Sequence, residues 1–352
     1  MITVKNTCDL SIIIALIILA TVTGACVSPA SPALSQTPES ALTTVRVAYM
    51  PIISFGPLFI AQEEGYFARQ GIHVEFEKFP STSGALPSLI KGDIAVSAGN
   101  IFPGLINAVA DGAHIRIVAD KGIILQDSCN SQGILVRRDL IDSGMVRTVA
   151  DLRGRRLTAG SDQSYPLTRG LALGNLTEND VGLEDMPRSA IIVAFENRAV
   201  DAAFLMEPYL TQALKSNNSV MFLSGYDLTP NFSSPLMYGP AFTDTNPELG
   251  RRFMVAYLEG VRQYNQGKTE RNLQILSKYT QLDRDALNET CWVTVAENGE
   301  FPVQPVSEYI DWMYATKKIS STVDTDQLID MSYARYASSV LGNSTATSPK
   351  NV

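Results

Sequence analysis

Residues 60–76, IAQEEGYFARQGIHVEF, limit most strongly what this chain can fold into. They begin inside a mostly apolar segment opened by Pro57, which predicts a short helix. Gly65 and Gly71 stand where a left-handed backbone, easy only for glycine, ends a helix or a turn. The last five residues alternate apolar and polar side chains, which predicts a half-buried strand. Helix, two glycine stops and strand together are typical of the connection inside a βαβ unit.

The alternation of strands and helices continues along the chain. Strands are predicted at residues 45–50, 72–76, 94–98, 115–119, 134–136, 156–159, 202–206 and 220–223, with helices at 85–91, 101–110, within 191–199, and from 247 to about 266. Thr148 to Asp151 match a capping box at a short helical turn. This order predicts an α/β fold of two doubly wound lobes, each a largely parallel sheet with helices on both faces.

Length and composition agree with a globular protein of two lobes. The chain has 352 residues, of which 45% are hydrophobic and 18% charged, and this length suits two lobes of roughly 150 residues each. The net charge of −8 argues against a nucleic-acid partner, which requires a basic surface. A small anionic ligand stays compatible with this charge, because backbone amides can bind an anion locally.

The N-terminus resembles an export signal. Lys5 precedes an apolar run at residues 10–22, which is short for a membrane span and typical of a signal-peptide core. Small residues before Cys26 predict a lipoprotein signal over residues 1–26, with Cys26 lipidated; simple cleavage and an uncleaved anchor remain alternatives. Residues 27–43 are expected to form a flexible tether, and residues 341–352 a disordered tail. Every alternative places the protein outside the cytoplasm.

Few residues in the sequence suggest catalysis or metal binding. Beyond the signal, Cys129 and Cys291 could form one extracellular disulfide or stay unpaired and buried. His73 and His114 are the only histidines, and no metal-ligand spacing accompanies them. No nucleophile elbow or phosphate-binding glycine motif occurs. We therefore expect no catalytic residue, no metal and no cofactor.

Five segments, in order, resemble the nitrate/sulfonate/taurine-binding family of ABC transporter substrate-binding proteins. They are AQEEGYFARQGIHVEF (61–76), LIKGDIAVSAGN (89–100), VADLRGRRLTAGSDQS (149–164), FENRAVDAAFLMEPY (195–209) and LIDMSYARYA (328–337). The resemblance implies a type II periplasmic-binding-protein fold with a ligand cleft between two lobes. Lobe 1 would comprise residues 44–130 and 237–340, and lobe 2 residues 131–236. Sulfonate and nitrate receptors often carry a histidine near the position of Tyr165, so this chain departs from them there.

The candidate ligand-binding residues follow the ends of the predicted strands, where open α/β sheets bind ligands. They are Ser54, Phe55, Ser81, Thr82, Ser83, Asn100, Ser161, Gln163, Ser164, Tyr165, Glu207 and Tyr209. Hydroxyls before a helix start form a suitable anion cradle. Several of these residues also have a structural interpretation: residues 81–83 and Asn100 as helix caps, Glu207 as a solvated loop acid, and the aromatic residues as packing groups.

The resemblance implies an extracytoplasmic receptor that closes by hinge motion around a small organic solute of the sulfonate, nitrate or taurine class. A monomer is expected, anchored to the outer face of the cytoplasmic membrane, with an ABC permease and its ATPase as partners. The alternatives are a receptor for a thiamine-pyrimidine precursor or another heterocycle, an enzyme on the same fold, or a tethered sensor. Fungal pyrimidine synthases resemble this family but carry a cysteine cluster, which this chain lacks.

Overall fold

The computed structural model describes residues 42–159 and 164–342, which contain two five-stranded sheets. The strands are β1 (Thr43–Tyr49), β2 (Ile72–Lys78), β3 (Val96–Ala98), β4 (Arg116–Ile123), β5 (Gln132–Arg137), β6 (Arg156–Thr158), β7 (Gly182–Glu184), β8 (Ala202–Met206), β9 (Ser219–Ser224) and β10 (Ser233–Tyr238). The first sheet has the order β2-β1-β3-β10-β4, and the second β7-β6-β8-β5-β9. In each sheet one strand, β10 or β5, runs antiparallel to both neighbours.

Helices connect the strands and form the C-terminal third of the chain. They are α1 (Gly56–Glu63), α2 (Tyr66–Arg69), α3 (Thr82–Lys91), α4 (Pro103–Ala110), α5 (Arg138–Asp142), α6 (Ser164–Ala172), α7 (Arg188–Glu196), α8 (Tyr209–Lys215), α9 (Gly225–Leu228), α10 (Pro247–Tyr264), α11 (Glu270–Thr280), α12 (Arg284–Glu289), α13 (Val303–Ala315), α14 (Thr325–Leu328) and α15 (Ser332–Leu341). Short 3-10 helices occur at Ile53–Phe55, Val149–Leu152 and Glu178–Asp180, and a π-helix at Ala241–Thr245.

Both sheets are covered on two faces, because successive residues of a strand point in opposite directions. In β1, Val47 packs into a cluster that includes residues of α1 and α10, whereas Ala48 packs into a second cluster with residues of α3, α4 and α13. In β5, Leu135 faces the cluster of α7 and α8, and its neighbours Ile134 and Val136 face that of α6. The apolar pattern of the strands therefore produces two three-layer lobes.

The local signals of the sequence lead to the expected structures. Gly65 and Gly71 have φ angles of 71° and 70°, in the left-handed region that these stops require. Between them Phe67 is buried, with its ring 4.7 Å from that of Phe253. The capping box at Thr148 is present, and the Asn246 side chain caps α10. These features are local, which is why sequence reasoning finds them.

Two crossovers join the lobes, at residues 124–131 and 229–232. They are hydrogen-bonded to each other: the Ile124 N–H donates to the Phe232 carbonyl, and the Asn231 N–H to the Ile124 carbonyl, both at 3.0 Å. β10 was not among the predicted strands and belongs to the first sheet. The predicted boundary between residues 236 and 237 falls inside this strand, so the return to the first lobe is better placed before Ser233.

Cys129 and Cys291 form a disulfide, with a Cα–Cα distance of 5.7 Å. The bridge connects the first crossover to the segment that follows α12. Trp292, next to Cys291, is buried and lies outside the helices. Within residues 42–159 and 164–342, no helix is both long and apolar enough to span a membrane. The predicted signal, the predicted tether up to residue 41 and the predicted tail from residue 343 lie outside the described residues. The end of the tether and the start of the tail were wrong, because Thr43 begins β1 and Leu341 is the last residue of α15.

Candidate ligand-binding site

The carboxyl ends of the parallel strands of the first sheet carry half of the predicted ligand-binding residues. Ser54 and Phe55 follow β1, and Ser81, Thr82 and Ser83 follow β2. Asn100 follows β3 at the same edge. The edge continues into the two crossovers, which lead to the second lobe. The fold therefore brings these loops to the region between the lobes, as expected for an open α/β sheet.

The loops after β2 and β3 are joined through Thr82. Its hydroxyl accepts a hydrogen bond of 3.2 Å from the backbone N–H of Asn100. Thr82 lies so close to Gly99 that an added Cβ there would be 1.9 Å from its hydroxyl oxygen. Ser81 is the N-cap of α3 and accepts from the N–H of Gly84, and its hydroxyl lies 3.0 Å from that of Ser83. The Thr82 side chain is therefore buried and its hydroxyl is used in a structural hydrogen bond, whereas the Ser83 side chain is exposed.

Asn100 does not cap the helix that follows it. α4 begins at Pro103, and its N-cap residue is Phe102. The Asn100 side chain is exposed, and no hydrogen bond from it occurs among the described residues. The structural interpretation offered for Asn100 is therefore wrong, and its amide remains free to contact a solute at the edge of the first sheet.

Ser54 and Phe55 meet a residue that the sequence analysis did not single out, Lys121 of β4. The Lys121 ammonium donates to the Ser54 hydroxyl at 2.7 Å and lies 4.8 Å from the centre of the Phe55 ring. Lys121 is 2% exposed, Phe55 is fully buried and Ser54 is half-buried. Phe55 therefore cannot stack on a solute in this conformation, and it stabilises the lysine through a cation–π contact instead. Ser54 marks the boundary between the interior and the region between the lobes.

Asp120, beside Lys121 in sequence, has a separate structural role. Its carboxylate accepts from the backbone N–H groups of Gly122 at 2.8 Å and Ala296 at 2.7 Å, and from the hydroxyl of Ser233. It ties β4 to the start of β10 and to the segment after α12. Burial raises the pKa of Asp120 to about 6, and these hydrogen bonds oppose the rise. Burial likewise lowers the pKa of Lys121 to about 8, which the Asp120 charge opposes.

Tyr165 lies in a cluster of aromatic rings that joins the two lobes. Its ring centre is 4.4 Å from that of Tyr309, 5.0 Å from that of Trp312 and 6.1 Å from that of Phe232. Tyr165 belongs to α6 of the second lobe, whereas α13, which carries Tyr309 and Trp312, packs on the first sheet. Burial raises the pKa of the Tyr165 phenol, which is 6% exposed. Tyr165 was predicted to contact the ligand, and this geometry favours the alternative interpretation as a packing group.

A cavity of about 520 Å³ adjoins this cluster. Its walls are Tyr165 and Arg169 of α6, the second crossover, and the beginning of α13 with Glu308. Of the predicted ligand-binding residues that the structure describes, only Tyr165 lines it. Arg169 and Glu308 are both exposed, so their charges are screened by water. The cavity is large enough for a small solute, but it lies beside the second crossover and away from the loops after β1, β2 and β3.

The remaining predicted residues lie in the second lobe. Glu207 is held in place: its carboxylate accepts from the N–H and hydroxyl of Thr211 and, at 3.0 Å, from the N–H of Cys291. The solvated-acid interpretation of Glu207 is therefore wrong. Tyr209 is half-buried and packs against the α7 and α8 cluster. Ser164 begins α6, whereas Ser161 and Gln163 lie outside the described residues.

The sequence contains a signal for Lys121, but a weak one. An Asp-Lys pair follows the segment IRIVA, which is apolar apart from Arg116, and the predicted strand ended at Ala119, before these two charges. In the structure β4 continues to Ile123 with both charges buried. In the part of the chain that the structure describes, no group of three or more His, Cys, Asp or Glu side chains is arranged to hold a metal ion.

Comparison with known proteins identifies the family. The sequence model of the NMT1-like family matches residues 38–277. The chain belongs to this family. A putative aliphatic sulfonates-binding protein of Bacillus subtilis strain 168 is 24% identical to it over 300 residues, which cover 81% of this chain and 85% of that protein.

Solved structures show the fold. The periplasmic aliphatic sulphonate binding protein SsuA of Escherichia coli superposes with a TM-score of 0.66 and 20% identity, over 81% of this chain and 96% of that one. The desulfurization enzyme DSZB superposes with a TM-score of 0.63 and 13% identity, over 85% and 100% of the two chains. The predicted two-lobed type II periplasmic-binding fold is confirmed, and this fold serves both binding proteins and an enzyme.

Proposed function

We propose that this protein is the extracytoplasmic solute-binding receptor of an ABC importer. The observation that carries the proposal is the arrangement of two lobes whose carboxyl-end loops meet across two hydrogen-bonded crossovers. Family membership and the sulfonate-binding relative support it. The solute is held between the lobes and stabilises their closed arrangement by contacting both. The closed receptor then docks on a membrane permease driven by an ATPase.

The contacts that we propose come from loops of the first sheet whose polar groups are exposed or half-buried. Ser54, Ser81, Ser83 and Asn100 supply hydroxyl and amide groups, and the N-terminal amides of α3 add donors. Tyr165 supports the site from the second lobe as a packing group, through its contacts with Tyr309 and Trp312. The solute class that best fits these donors is a small sulfonate, nitrate or taurine-like molecule.

A thermal-shift panel tests the receptor role on the purified protein. Alkanesulfonates, taurine, nitrate and pyrimidine precursors would each be added at increasing concentrations. A ligand at 100 times its Kd adds about 2.7 kcal/mol, which for a unit of about 300 residues raises Tm by about 4 °C. A shift confined to one chemical class would support the receptor and identify its solute class. No shift with any compound, and no small molecule released on denaturation as judged by mass spectrometry, would contradict it.

We further propose that Cys26 is lipidated and anchors the protein to the outer face of the cytoplasmic membrane. The apolar run before it and the Pro- and Ser-rich tether after it support this. Replacing Cys26 by Ser should move the protein from the membrane pellet to the soluble fraction after cell lysis. Cys8→Ser is the matched control and should stay in the pellet. Equal fractionation of wild type and Cys26→Ser would contradict anchoring at this residue.

A further inference from the structure

Lys121 stands at an irregularity of the first sheet. On β10, Ser234 pairs with Gly122 and Pro235 pairs with Asp120, so Lys121 has no partner residue on that strand. Pro235 has no N–H to donate, which accounts for the break in the ladder at this point. An extra residue of this kind forms a β-bulge, and bulges redirect side chains and are frequent beside functional sites. The bulge aims Lys121 at the loop after β1.

Among the described residues, only one of the three N–H donors of the Lys121 ammonium has a hydrogen-bond acceptor. An ammonium carries three N–H donors, and Ser54 accepts one of them. Within the described residues, no carboxylate lies within ion-pair distance of the Lys121 nitrogen. The Phe55 ring offers a cation–π contact but no acceptor atom for the other two protons. A buried ammonium with two unfilled donors is costly, because both protons would be hydrated in water.

Asp120 does not accept a hydrogen bond from either of the two remaining N–H groups of Lys121. Both of its carboxylate oxygens accept hydrogen bonds from other groups, one from Gly122 and Ser233 and the other from Ala296. Asp120 thus balances the lysine charge at a distance without accepting its protons. The pKa of Lys121, near 8, leaves the group charged at neutral pH. The buried charge and its two remaining donors lie beside the half-buried hydroxyl of Ser54.

We propose that the Lys121 ammonium and the Ser54 hydroxyl form the anion-binding point of the cleft, so that the transported solute carries a carboxylate, a sulfonate or a similar oxyanion. This inference rests on the proposed receptor function and specifies its solute class. Two oxygens of such an anion accept the two free protons and neutralise the charge. A neutral heterocycle offers no compensating charge, so the geometry favours an oxyanion over the pyrimidine alternative. The exposed Ser83 hydroxyl and the free Asn100 amide lie at the same sheet edge.

The test compares probes with and without an anionic group. Hexanesulfonate and hexanoate are paired with neutral hexanol, and benzoate with neutral benzamide, in calorimetric titrations of the purified protein. Lys121→Met removes the charge at nearly equal length, Lys121→Arg keeps it, and Ser54→Ala removes the one acceptor. Lys91→Met is the matched control, because it removes the same charge from the exposed end of α3. Urea unfolding of each variant confirms that it is folded.

We expect at least one anion to bind wild type and Lys91→Met equally, and its neutral counterpart to bind neither. Lys121→Met should weaken that anion at least tenfold, Ser54→Ala less, and Lys121→Arg should restore part of the affinity. An anion that binds Lys121→Met as tightly as wild type would overturn the assignment and leave the receptor role intact. A neutral probe that binds wild type and Lys121→Met equally would do the same. Failure of every probe to bind wild type would count against the receptor and this inference together.

If Lys121→Met does not fold, Lys121→Arg and Ser54→Ala decide the matter. Both keep the charge that balances Asp120, so neither leaves that carboxylate alone in the interior. Unchanged anion affinity in both variants would overturn the inference. Affinity lowered in both, with the Lys91→Met control unchanged, would support it.

Discussion

Removing the disulfide between Cys129 and Cys291 is expected to lower the free energy of unfolding by several kcal/mol. The bridge closes a loop of 162 residues, which comprises the whole second lobe and the first part of the C-terminal helical region. In the chain-entropy description, a loop of this length restricts the unfolded chain by about 5 kcal/mol at 25 °C. Because natural and engineered bridges commonly deliver less, we expect Cys129→Ser/Cys291→Ser to lose about 2–5 kcal/mol.

Urea-induced unfolding measures this effect directly. The oxidised protein, the protein with reductant and the double serine variant would be compared. The two unbridged samples should unfold at lower urea, with a steeper dependence on urea, because their unfolded chains expose more surface. The double variant should be insensitive to reductant, which controls for other effects of the reagent. Oxidised and reduced proteins whose unfolding free energies agree within about 0.5 kcal/mol would refute the reasoning.

The bridge also has a local effect that a second variant separates. Cys291 donates its backbone N–H to Glu207, at the end of β8 in the second lobe. If the disulfide acts on the unfolded chain alone, Glu207→Gln costs the same stability with and without the bridge. If the bridge also holds Cys291 at the Glu207 carboxylate, the two changes are coupled, by about 0.5–3 kcal/mol for groups in contact.

Three further groups of substitutions test the site and its surroundings. Asn100→Ala should weaken solute binding about tenfold without lowering Tm. Tyr165→Ala should weaken binding and also lower the free energy of unfolding by about 3 kcal/mol, because it empties the ring cluster. Calorimetric titration measures the affinities and urea unfolding the stabilities. Gly99→Ala should lower the free energy of unfolding by more than about 2 kcal/mol, since φ of Gly99 is 151° and a Cβ would clash with the Thr82 hydroxyl. Gly112→Ala, in open space at φ 94°, should lose only the free energy of the backbone strain. Equal losses of stability in the two variants would contradict this reasoning. The folded state raises the pKa of Asp120, so the stability of wild type relative to Asp120→Asn should fall as pH rises from about 4 to about 7; a difference constant with pH would show that this carboxyl does not titrate as inferred.

Sequence reasoning recovered what depends on neighbours along the chain. Left-handed glycines, the capping box at Thr148 and all strands except β7 and β10 follow from short patterns. β10 was missed because it is placed between β3 and β4 by pairings with residues more than 100 positions away. Its one proline also argues against a central strand, and the bulge at Lys121 is what accommodates it.

Part of the geometry of the candidate site follows from the sequence for the same reason. The positions of loops after strands follow from the α/β pattern, and Ser54, Ser81 and Asn100 lie at the strand-end edge that this pattern predicts, while their contact with a solute stays a prediction. Burial could not be inferred from residue type: Phe55 is in the core and the Asp120–Lys121 pair is in a strand interior. A charge inside an apolar run has two interpretations, strand end or buried functional group, and only the three-dimensional contacts distinguish them.

The ring cluster around Tyr165 has a consequence for solute exchange. Opening the lobes would separate the Tyr165 ring from those of Tyr309 and Trp312, because these rings belong to helices of different lobes. Two aromatic pairs at about 0.5–1.5 kcal/mol each hold the lobes together by about 1–3 kcal/mol, which is comparable to the gap between two populated conformations. The protein would then favour closure before a solute binds. Small-angle X-ray scattering of solute-free Tyr165→Ala should give a larger radius of gyration than wild type, and equal radii would show that the rings do not set this balance.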